Sequence, residues 1–262
     1  MTDVPRGRYV WFDLLTTDTE AGVQFYTDLM GWGTAQWEGG EQPYTMWVNG
    51  ETNVGGVMAL PDEAKQAGTT PHWLGYISTP DVDATVSAAT DIGAQVHAPA
   101  RDIPTVGRFA VMADPQGALF AVFSPIGDTP GHDGPWGRGE VSWHELATTD
   151  AAAAFEFYST LFGWQKTDTM DMGEAGVYQM YNRGEGSTMG GMYNKTKDMP
   201  GPPAWLFYIS VDDVNASVKK VKASQGMALN GPMKVPGGSG DMIAQCMDPQ
   251  GAAFAMHSSG GA

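Results

Sequence analysis

The chain has 262 residues, a length that suits two domains of about 130 residues, each large enough to hold its own core. Its 30 acidic residues against 14 basic ones give a net charge of −16, which disfavours nucleic acid and anionic membranes because both need a cationic surface. The single cysteine, Cys246, excludes an intrachain disulfide framework and a cysteine-based zinc site.

We next searched the sequence for a membrane-spanning helix and for a signal peptide. No apolar run approaches the ~18 residues of a membrane-spanning helix. The N-terminal residues Met1–Arg6 lack the apolar core of a signal peptide. We therefore expect a cytoplasmic protein, in which Cys246 is a buried structural thiol on a strand.

The first half of the chain alternates strands with two helices. Asp18 suits the N-cap of a helix whose apolar face carries Phe25 and Leu29, and Gly31 suits its C-terminal end. Asp81 opens a second helix that runs to Ile92. Strands are predicted at Tyr9–Leu15, Thr34–Trp37, Tyr44–Val48, Val54–Leu60, Trp73–Ser78, Gln95–Ala98, Arg108–Ala113 and Leu119–Phe123.

The second half repeats the first. Three motifs return in the same order: Trp11–Asp18 as Trp143–Asp150, Phe25–Trp32 as Phe157–Trp164, and Asp114–Ala118 as Asp248–Ala252. So long a period indicates a duplicated domain and not a solenoid, whose repeats run at about 20–50 residues. The same elements are predicted again: strands Val141–Thr148, Gly176–Asn182 and Trp205–Val211, helices Ala151–Leu161 and Asp213–Ser224, and a closing hairpin at Asp248.

A segment rich in Gly and Pro separates the two copies. It breaks both the helical and the strand periodicity, and Trp136 within it could anchor it to a domain. The sequence therefore predicts an α+β protein with one domain at residues 7–124, a linker at 125–138 and a second domain at 139–259. Each domain holds two βαβββ modules, whose strands can curl into an open barrel with helices outside and a cleft inside.

The repeated patterns resemble the vicinal oxygen chelate (VOC) superfamily. They are Leu-x-Thr-x-Asp, Phe-Tyr-x-x-Leu-x-Gly-Trp and Asp-Pro-Gln-Gly-Ala-x-Phe-Ala, each present once per copy. This superfamily includes glyoxalase I, extradiol dioxygenases, and fosfomycin and bleomycin resistance proteins. The duplicated form resembles two-domain glyoxalase/bleomycin-resistance-like proteins of actinobacteria, including a mycobacterial antigen. The resemblance implies two tandem VOC domains but leaves the activity open, because this fold hosts several enzyme classes and pure binders.

The resemblance also implies three metal-ligand positions per domain. They lie on the first strand, at the start of the fifth strand and on the strand after the final turn. In this sequence all six positions are apolar: Trp11, Leu74 and Ala121 in the first copy, and Trp143, Leu206 and Ala255 in the second. We therefore expect no metal cofactor. A divalent metal held by residues outside these positions is the alternative.

Two carboxylates share a strand face with the tryptophans at the first ligand position. Side chains alternate along a strand, so Asp13 lies on the face of Trp11, and Glu145 on the face of Trp143, toward the cleft. The structural interpretation is a buried acid bonded to backbone, or an acid that lies in water at the mouth of the barrel. The functional one is a general base, because desolvation by an indole favours proton transfer near neutral pH.

Two histidines occur only in the second copy. His257 shares the parity of Ala255, so it is predicted to face the second cleft and is the third catalytic candidate; its counterpart is Phe123. His144 has Phe12 as its counterpart and the opposite parity from Glu145, which favours a packing role over metal binding.

Aromatic residues crowd the predicted sheets, either as ordinary core or as the lining of a cleft for a flat or apolar ligand. The predicted substrate-binding residues are Trp11, Trp143, Tyr44, Tyr178, Leu74, Leu206, Ala121 and Ala255.

These features favour a protein that binds or transforms a small organic molecule in aromatic-lined clefts, without the metal triad. The alternatives are a metal-dependent lyase or dioxygenase, and a non-catalytic protein that sequesters a drug or metabolite. As partners we expect a small molecule but no nucleic acid or membrane, and a monomer whose two domains form an intrachain pseudo-dimer.

Overall fold

The computed structural model describes residues 4–39, 44–173, 176–184, 186–235 and 240–260. Of the N-terminal residues for which no signal peptide is predicted, Met1–Asp3 lie outside the described residues. In the first repeat the elements are β1 (Tyr9–Thr16), α1 (Thr19–Met30), β2 (Gly33–Trp37), β3 (Tyr44–Asn49), β4 (Thr52–Ala59), α2 (Asp62–Gln66), β5 (His72–Ser78), α3 (Val82–Asp91), β6 (Gln95–Ile103), β7 (Gly107–Ala113) and β8 (Leu119–Pro125). In the second they are β9 (Val141–Thr148), α4 (Ala151–Phe162), β10 (Gln165–Asp171), β11 (Val177–Asn182), β12 (Gly190–Asn194), β13 (Ala204–Ser210), α5 (Val214–Ala223), β14 (Met227–Lys234), β15 (Met242–Met247) and β16 (Ala253–Ser258).

Each repeat forms one eight-stranded mixed sheet from its described strands. The order is β2-β3-β4-β1-β5-β8-β7-β6 in the first repeat and β10-β11-β12-β9-β13-β16-β15-β14 in the second. The pairs β1–β4 and β5–β8 are parallel, whereas β7–β8 is an antiparallel hairpin closed by the turn at Asp114. The predicted α+β fold of four βαβββ modules in two tandem domains is confirmed.

Two elements differ from the sequence prediction by more than two residues at either end. The short helix α2 was not predicted, because five residues are too few to show a helical period. Strand β6 runs to Ile103, five residues beyond the predicted end at Ala98. Pro99 interrupts the strand pattern there, but β6 is an edge strand, where proline is tolerated.

Asp and Gly residues define the ends of the first helix in each repeat. Asp18 and Asp150 are the N-caps, and each carboxylate accepts a hydrogen bond from a backbone N–H of the first turn. Gly31 and Gly163 end the helices with φ of 75° and 72°, the left-handed conformation that glycine adopts without strain. None of the helices in the described part of the chain combines the length and apolar character needed to cross a membrane.

The compact units of the structure each draw on both repeats. The first unit comprises Met1–Trp11, Leu74–Asp133 and Trp143–Trp205. The second unit comprises Phe12–Trp73, Gly134–Ser142 and Leu206–Ala262. Each unit therefore combines one βαβββ module from the first repeat with one from the second.

Tyr26 of α1 lies at the centre of the second unit. Its Oη donates a hydrogen bond to Asp248 Oδ2 at 3.1 Å and accepts one from Trp73 Nε1 at 2.9 Å. Its ring packs edge-to-face against Phe254, with the centroids 5.3 Å apart. A helix of the first repeat is thus bonded to the final turn of the second.

Tyr158 of α4 occupies the matching place in the first unit. Its Oη donates to Asp114 Oδ2 at 3.1 Å and accepts from Trp205 Nε1 at 3.0 Å. Phe120 packs edge-to-face on its ring at 5.4 Å. Here a helix of the second repeat is bonded to the final turn of the first.

The tryptophans of the two Gly-Trp motifs make a second pair of crossed contacts. Trp164 Nε1 donates to Gly7 O at 2.9 Å in the first unit, and Trp32 Nε1 donates to Gly139 O at 3.0 Å in the second. Both glycines have positive φ, and a Cβ would lie 2.8 Å from the indole nitrogen at Gly7 and 2.9 Å from it at Gly139. Cys246 on β15 is buried, as predicted, and burial raises the pKa of its thiol to about 11.

Candidate functional site

A chain of hydrogen bonds links Trp143, Tyr178 and Glu145 in the first unit. Trp143 Nε1 donates to Tyr178 Oη at 2.6 Å, and Tyr178 Oη donates to Glu145 Oε2 at 3.0 Å. Glu145 and Tyr178 are buried, while Trp143 is half-buried. The structure therefore brings together three of the residues predicted from sequence, with the tyrosine between the indole and the carboxylate.

Glycine makes this arrangement possible. Gly191 on β12 lies opposite Glu145 in the parallel pairing with β9, and the ring of Tyr178 covers it. A Cβ on Gly191 would lie only 1.9 Å from Tyr178 Cε1. Without a side chain at this position, the tyrosine can lie across β12 and reach the carboxylate on β9.

A second aromatic ring packs against Tyr178. Tyr193 lies parallel to it, with the ring centroids 5.8 Å apart and an interplanar angle of 20°. Burial, reinforced by the nearby negative charge of Glu145, raises the pKa of Tyr193 above its ordinary value, so its hydroxyl stays protonated at neutral pH.

The first repeat carries a smaller version of this arrangement, in the second unit. Tyr44 Oη donates to Asp13 Oδ1 at 2.5 Å, and Trp37 packs edge-to-face on the Tyr44 ring at 6.4 Å. Gly56 lies opposite Asp13, and a Cβ there would meet Tyr44 Oη at 2.1 Å. A carboxylate, a tyrosine and a glycine thus recur at matching positions in both repeats.

His257 lies in a different cluster, in the second unit. Its Nδ1 is 3.1 Å from Ser142 Oγ, and its Nε2 is 3.8 Å from Asp241 Oδ2. The ring of Trp136, from the linker, lies 4.8 Å from the imidazole, so this tryptophan does contact a domain as predicted. Burial lowers the pKa of His257, and Asp241 partly opposes that effect.

His144 has the packing role predicted for it. Its imidazole stacks on Tyr9 at 4.1 Å, with an interplanar angle of 9°, and its Nδ1 lies 2.8 Å from Met189 O. Burial lowers the pKa of His144 to about 4, so the ring is neutral at pH 7. This histidine contributes to the core of the first unit.

The metal positions of the superfamily do not fit a metal in this chain. Indole, isobutyl and methyl side chains offer no electron pair to a divalent cation, and only these occupy the six positions: Trp11, Leu74, Ala121, Trp143, Leu206 and Ala255. Ala121 and Ala255 are fully buried, and Leu74 nearly so. Elsewhere in the described residues, no three His, Cys, Asp or Glu side chains converge into a group that could hold a metal ion.

Sequence reasoning missed the two glycines, and it also missed Ser142 and Asp241. The glycines had a detectable signal, because Gly55-Gly56 and Gly190-Gly191 recur at corresponding places in the two repeats. No single-residue pattern marks Ser142 or Asp241. Only their contacts with His257 distinguish them from surface polar residues.

Known proteins share both the sequence pattern and the fold. The family model of the Glyoxalase/Bleomycin resistance protein/Dioxygenase superfamily matches residues 8–122 and again 140–256. The candidate glyoxylase CFP32 of Mycobacterium tuberculosis is 34% identical over 94% of this chain and 92% of its own length. The anthracycline biosynthesis protein DnrV of Streptomyces peucetius is 30% identical over 98% of this chain and 94% of its own.

Two solved structures illustrate the shared fold. The Mn(II)-bound glyoxalase from Novosphingobium aromaticivorans superimposes with a TM-score of 0.65 at 16% identity, covering 100% of this chain and 84% of the other. The 2,3-dioxygenase LapB from Pseudomonas sp. KL28 gives a TM-score of 0.64 at 13% identity, covering 100% of this chain and 94% of the other. With a family match to both repeats, the chain belongs to the Glyoxalase/Bleomycin resistance protein/Dioxygenase superfamily.

Proposed function

We propose that the chain binds a small aromatic or conjugated organic molecule beside Trp143, Tyr178 and Glu145, and that it does so without the metal triad of its superfamily. The observation that carries the proposal is the hydrogen-bonded position of Tyr178 between an indole and a buried carboxylate. Aromatic walls with a few fixed polar groups are the usual composition of small-molecule sites. The charge of −16 further favours a neutral or cationic ligand over an anionic one.

The similar proteins support the same class of ligand. Two relatives are named for anthracycline biosynthesis, DnrV and the DauV protein of Streptomyces sp. strain C5. Each is 30% identical to this chain over nearly its whole length. A ligand of fused aromatic rings carrying keto and hydroxyl groups would suit the stacked tyrosines and their polar ends.

Proton transfer at the Glu145–Tyr178 pair is the second candidate function. A carboxylate that accepts a hydrogen bond from a phenol can take a proton from a bound carbonyl compound and return it at a neighbouring atom. The glyoxylase name of CFP32 favours such a lyase-like reaction. Turnover distinguishes this function from pure sequestration, in which the molecule is bound and released unchanged.

The test is a ligand titration on metal-free protein. After mild chelation and elemental analysis, planar hydroxyquinones are titrated against tryptophan fluorescence and calorimetry, and each is assayed for turnover. We expect saturable binding without metal, weakened at least tenfold, or about 1.4 kcal/mol, by Tyr178→Phe. Tyr181→Phe, in the core of the same unit, is the matched control. Close to one retained metal per domain, or binding that needs added metal, would refute the metal-free part of the proposal.

A further inference from the structure

Four aligned positions change from apolar or absent side chains in the first repeat to polar side chains in the second. The first repeat has Val10, Gly107, Val111 and Phe123, and the second has Ser142, Asp241, Gln245 and His257. The alignment follows from the recurring motifs that flank each strand. All four polar residues belong to the second unit. The duplication thus provides an internal comparison of the same backbone with and without polar groups.

The polar residues contact one another or a shared neighbour. Ser142 Oγ lies 3.1 Å from His257 Nδ1 and also donates to Tyr208 O at 3.1 Å. Asp241 Oδ2 lies 3.8 Å from His257 Nε2. Gln245 Nε2 donates to Tyr208 Oη at 3.0 Å. Four separate changes have therefore produced one connected cluster.

The register places part of this cluster around Ala255. On β16, Ala255 pairs with Tyr208 on one side and with Gln245 on the other. Ala255 is one of the positions at which the family resemblance implies a metal ligand. The Gln245–Tyr208 hydrogen bond therefore spans the place from which a ligand side chain would extend.

The same positions of the first repeat pack as ordinary core. Phe123 is buried, and the absence of a side chain at Gly107 leaves room for it. A Cβ on Gly107 would lie 2.6 Å from Phe123 Cε2. Val111 pairs with Ala121, the counterpart of Ala255. The fold is therefore complete with apolar residues at these positions.

Polar groups cost free energy when they are removed from water, so their presence where apolar residues suffice calls for another reason. The cluster is also accessible in part. The side chains of His257 and Asp241 are 13% and 28% exposed, and Trp136 beside the imidazole is 37% exposed. A partly open group of imidazole, amide and hydroxyl beside an indole can hydrogen-bond an oxygen and stack on a ring.

We propose that Ser142, Asp241, Gln245 and His257, together with Trp136, form a ligand-binding site that only the second repeat possesses. Its ligand is a planar aromatic molecule that presents a hydroxyl or keto oxygen to the imidazole and amide and a ring face to the indole. The inference goes beyond the proposed function, because these residues belong to the second unit, whereas the site at Tyr178 belongs to the first. It therefore predicts a second bound molecule per chain.

The test replaces three of these residues with their counterparts from the first repeat. The triple variant Ser142→Val, Asp241→Gly and His257→Phe restores the residues of the first repeat, and 1-hydroxyanthraquinone is the probe. We expect wild type to bind two molecules per chain, one of them at this site, and the variant to raise the Kd of that one molecule at least tenfold. We also expect the urea midpoint of the variant to equal or exceed that of wild type. A merely structural role would instead lower the midpoint and leave Kd unchanged.

Controls separate this proposal from the proposed function at Tyr178. His257→Gln tests the imidazole alone if the triple variant fails to fold, and Phe123→Leu is the matched change in the first repeat, expected to leave Kd within twofold. Loss of all binding in Tyr178→Phe with unchanged Kd in His257→Gln would overturn this inference and leave the proposed function standing. No binding to wild type, or a single bound molecule whose Kd the triple variant leaves unchanged, would also overturn it.

Discussion

Tyr178 is the residue on which the candidate site of the first unit depends. Its hydroxyl is a donor to Glu145 and an acceptor from Trp143, so a change at any of the three alters the other two. Hydrogen bonds to a charged group contribute about 1.5–3 kcal/mol, more than those between neutral groups. Removing the charge of Glu145 while keeping its shape is therefore the most direct test of the carboxylate.

We expect Glu145→Gln to weaken ligand binding or turnover by more than tenfold, and Asp13→Asn to have a smaller effect. The reason is that Glu145 belongs to a three-membered chain with a stacked Tyr193, whereas Asp13 has the smaller arrangement with Tyr44. Affinity and rate are compared at matched unfolding free energy. If neither variant changes them by more than about twofold, well below the 1.4 kcal/mol of a tenfold effect, both carboxylates are structural.

His144 gives a prediction about pH. Burial lowers its pKa to about 4, whereas an unfolded histidine titrates near 6.5. Between about pH 6.5 and pH 4, His144 binds a proton in the unfolded chain but not in the native protein. The stability that the neutral imidazole contributes is therefore complete above about pH 6.5 and is lost as the pH falls to about 4. The loss for this group is about 3 kcal/mol at 1.36 kcal/mol per unit of pKa.

The measurement compares urea unfolding of wild type and His144→Phe between pH 7 and pH 4. The variant carries the residue of the first repeat, Phe12, at the same position. Its free energy of unfolding should fall less steeply over this range, since it has no buried imidazole to protonate. Parallel curves for the two proteins would show that His144 does not contribute to the acid sensitivity.

Among the elements, the helices α1 and α4 are fixed by their tyrosines. Tyr158 Oη bonds to Asp114 Oδ2, while Asp114 Oδ1 accepts from the backbone of Gln116 and Ala118. One carboxylate thus shapes the β7–β8 turn and holds α4. The same double role of Asp248 explains why the Asp-Pro-Gln-Gly and Phe-Tyr motifs recur together.

We expect Tyr158→Phe to destabilise the protein by about 1–3 kcal/mol, because it leaves a buried carboxylate and the Trp205 indole without the hydroxyl. Tyr26→Phe should cost a similar amount in the second unit. Chemical unfolding measures both, with Tyr193→Phe as the control. A loss below about 0.5 kcal/mol in both variants would mean that ring packing alone fixes the helices.

The helices and strands could largely be predicted from sequence, and the candidate site only in part. Periodicity and capping residues identified α1 and most strands because those signals are local. The parity of β9 also placed Glu145 and Trp143 on one face. The bond from Tyr178 to Glu145 could not be predicted, because it depends on register between strands and on the missing Cβ of Gly191.

At the scale of the whole molecule, sequence repeat and compact unit do not coincide. Each unit combines modules from both repeats. Within it, a tyrosine bonded to Asp248 or Asp114 and a tryptophan bonded to Gly139 or Gly7 join one repeat to the other. Sequence similarity identifies the repeats but carries no information about which modules share a core. That pairing is decided by contacts such as Phe25 with Phe254.

This pairing predicts that neither repeat folds alone. A fragment of residues 1–133 lacks Asp248 and Phe254, the partners of Tyr26, and would expose that core to water. We expect it to form no folded monomer, whereas co-expression with residues 134–262 should give a 1:1 complex. Size-exclusion chromatography with light scattering measures the masses, and a cooperatively unfolding monomer of residues 1–133 would contradict the prediction.

The crossed contacts also change what the linker does. A protease that cuts the chain between Gly127 and Gly134 would leave both units with their strands and helices intact, because each already contains segments from either side of the cut. The linker would then act chiefly by keeping the halves at high effective concentration, an entropic contribution that grows only logarithmically with its length. Insertions there should be tolerated, and a nicked protein should keep its native spectrum until it is diluted or denatured.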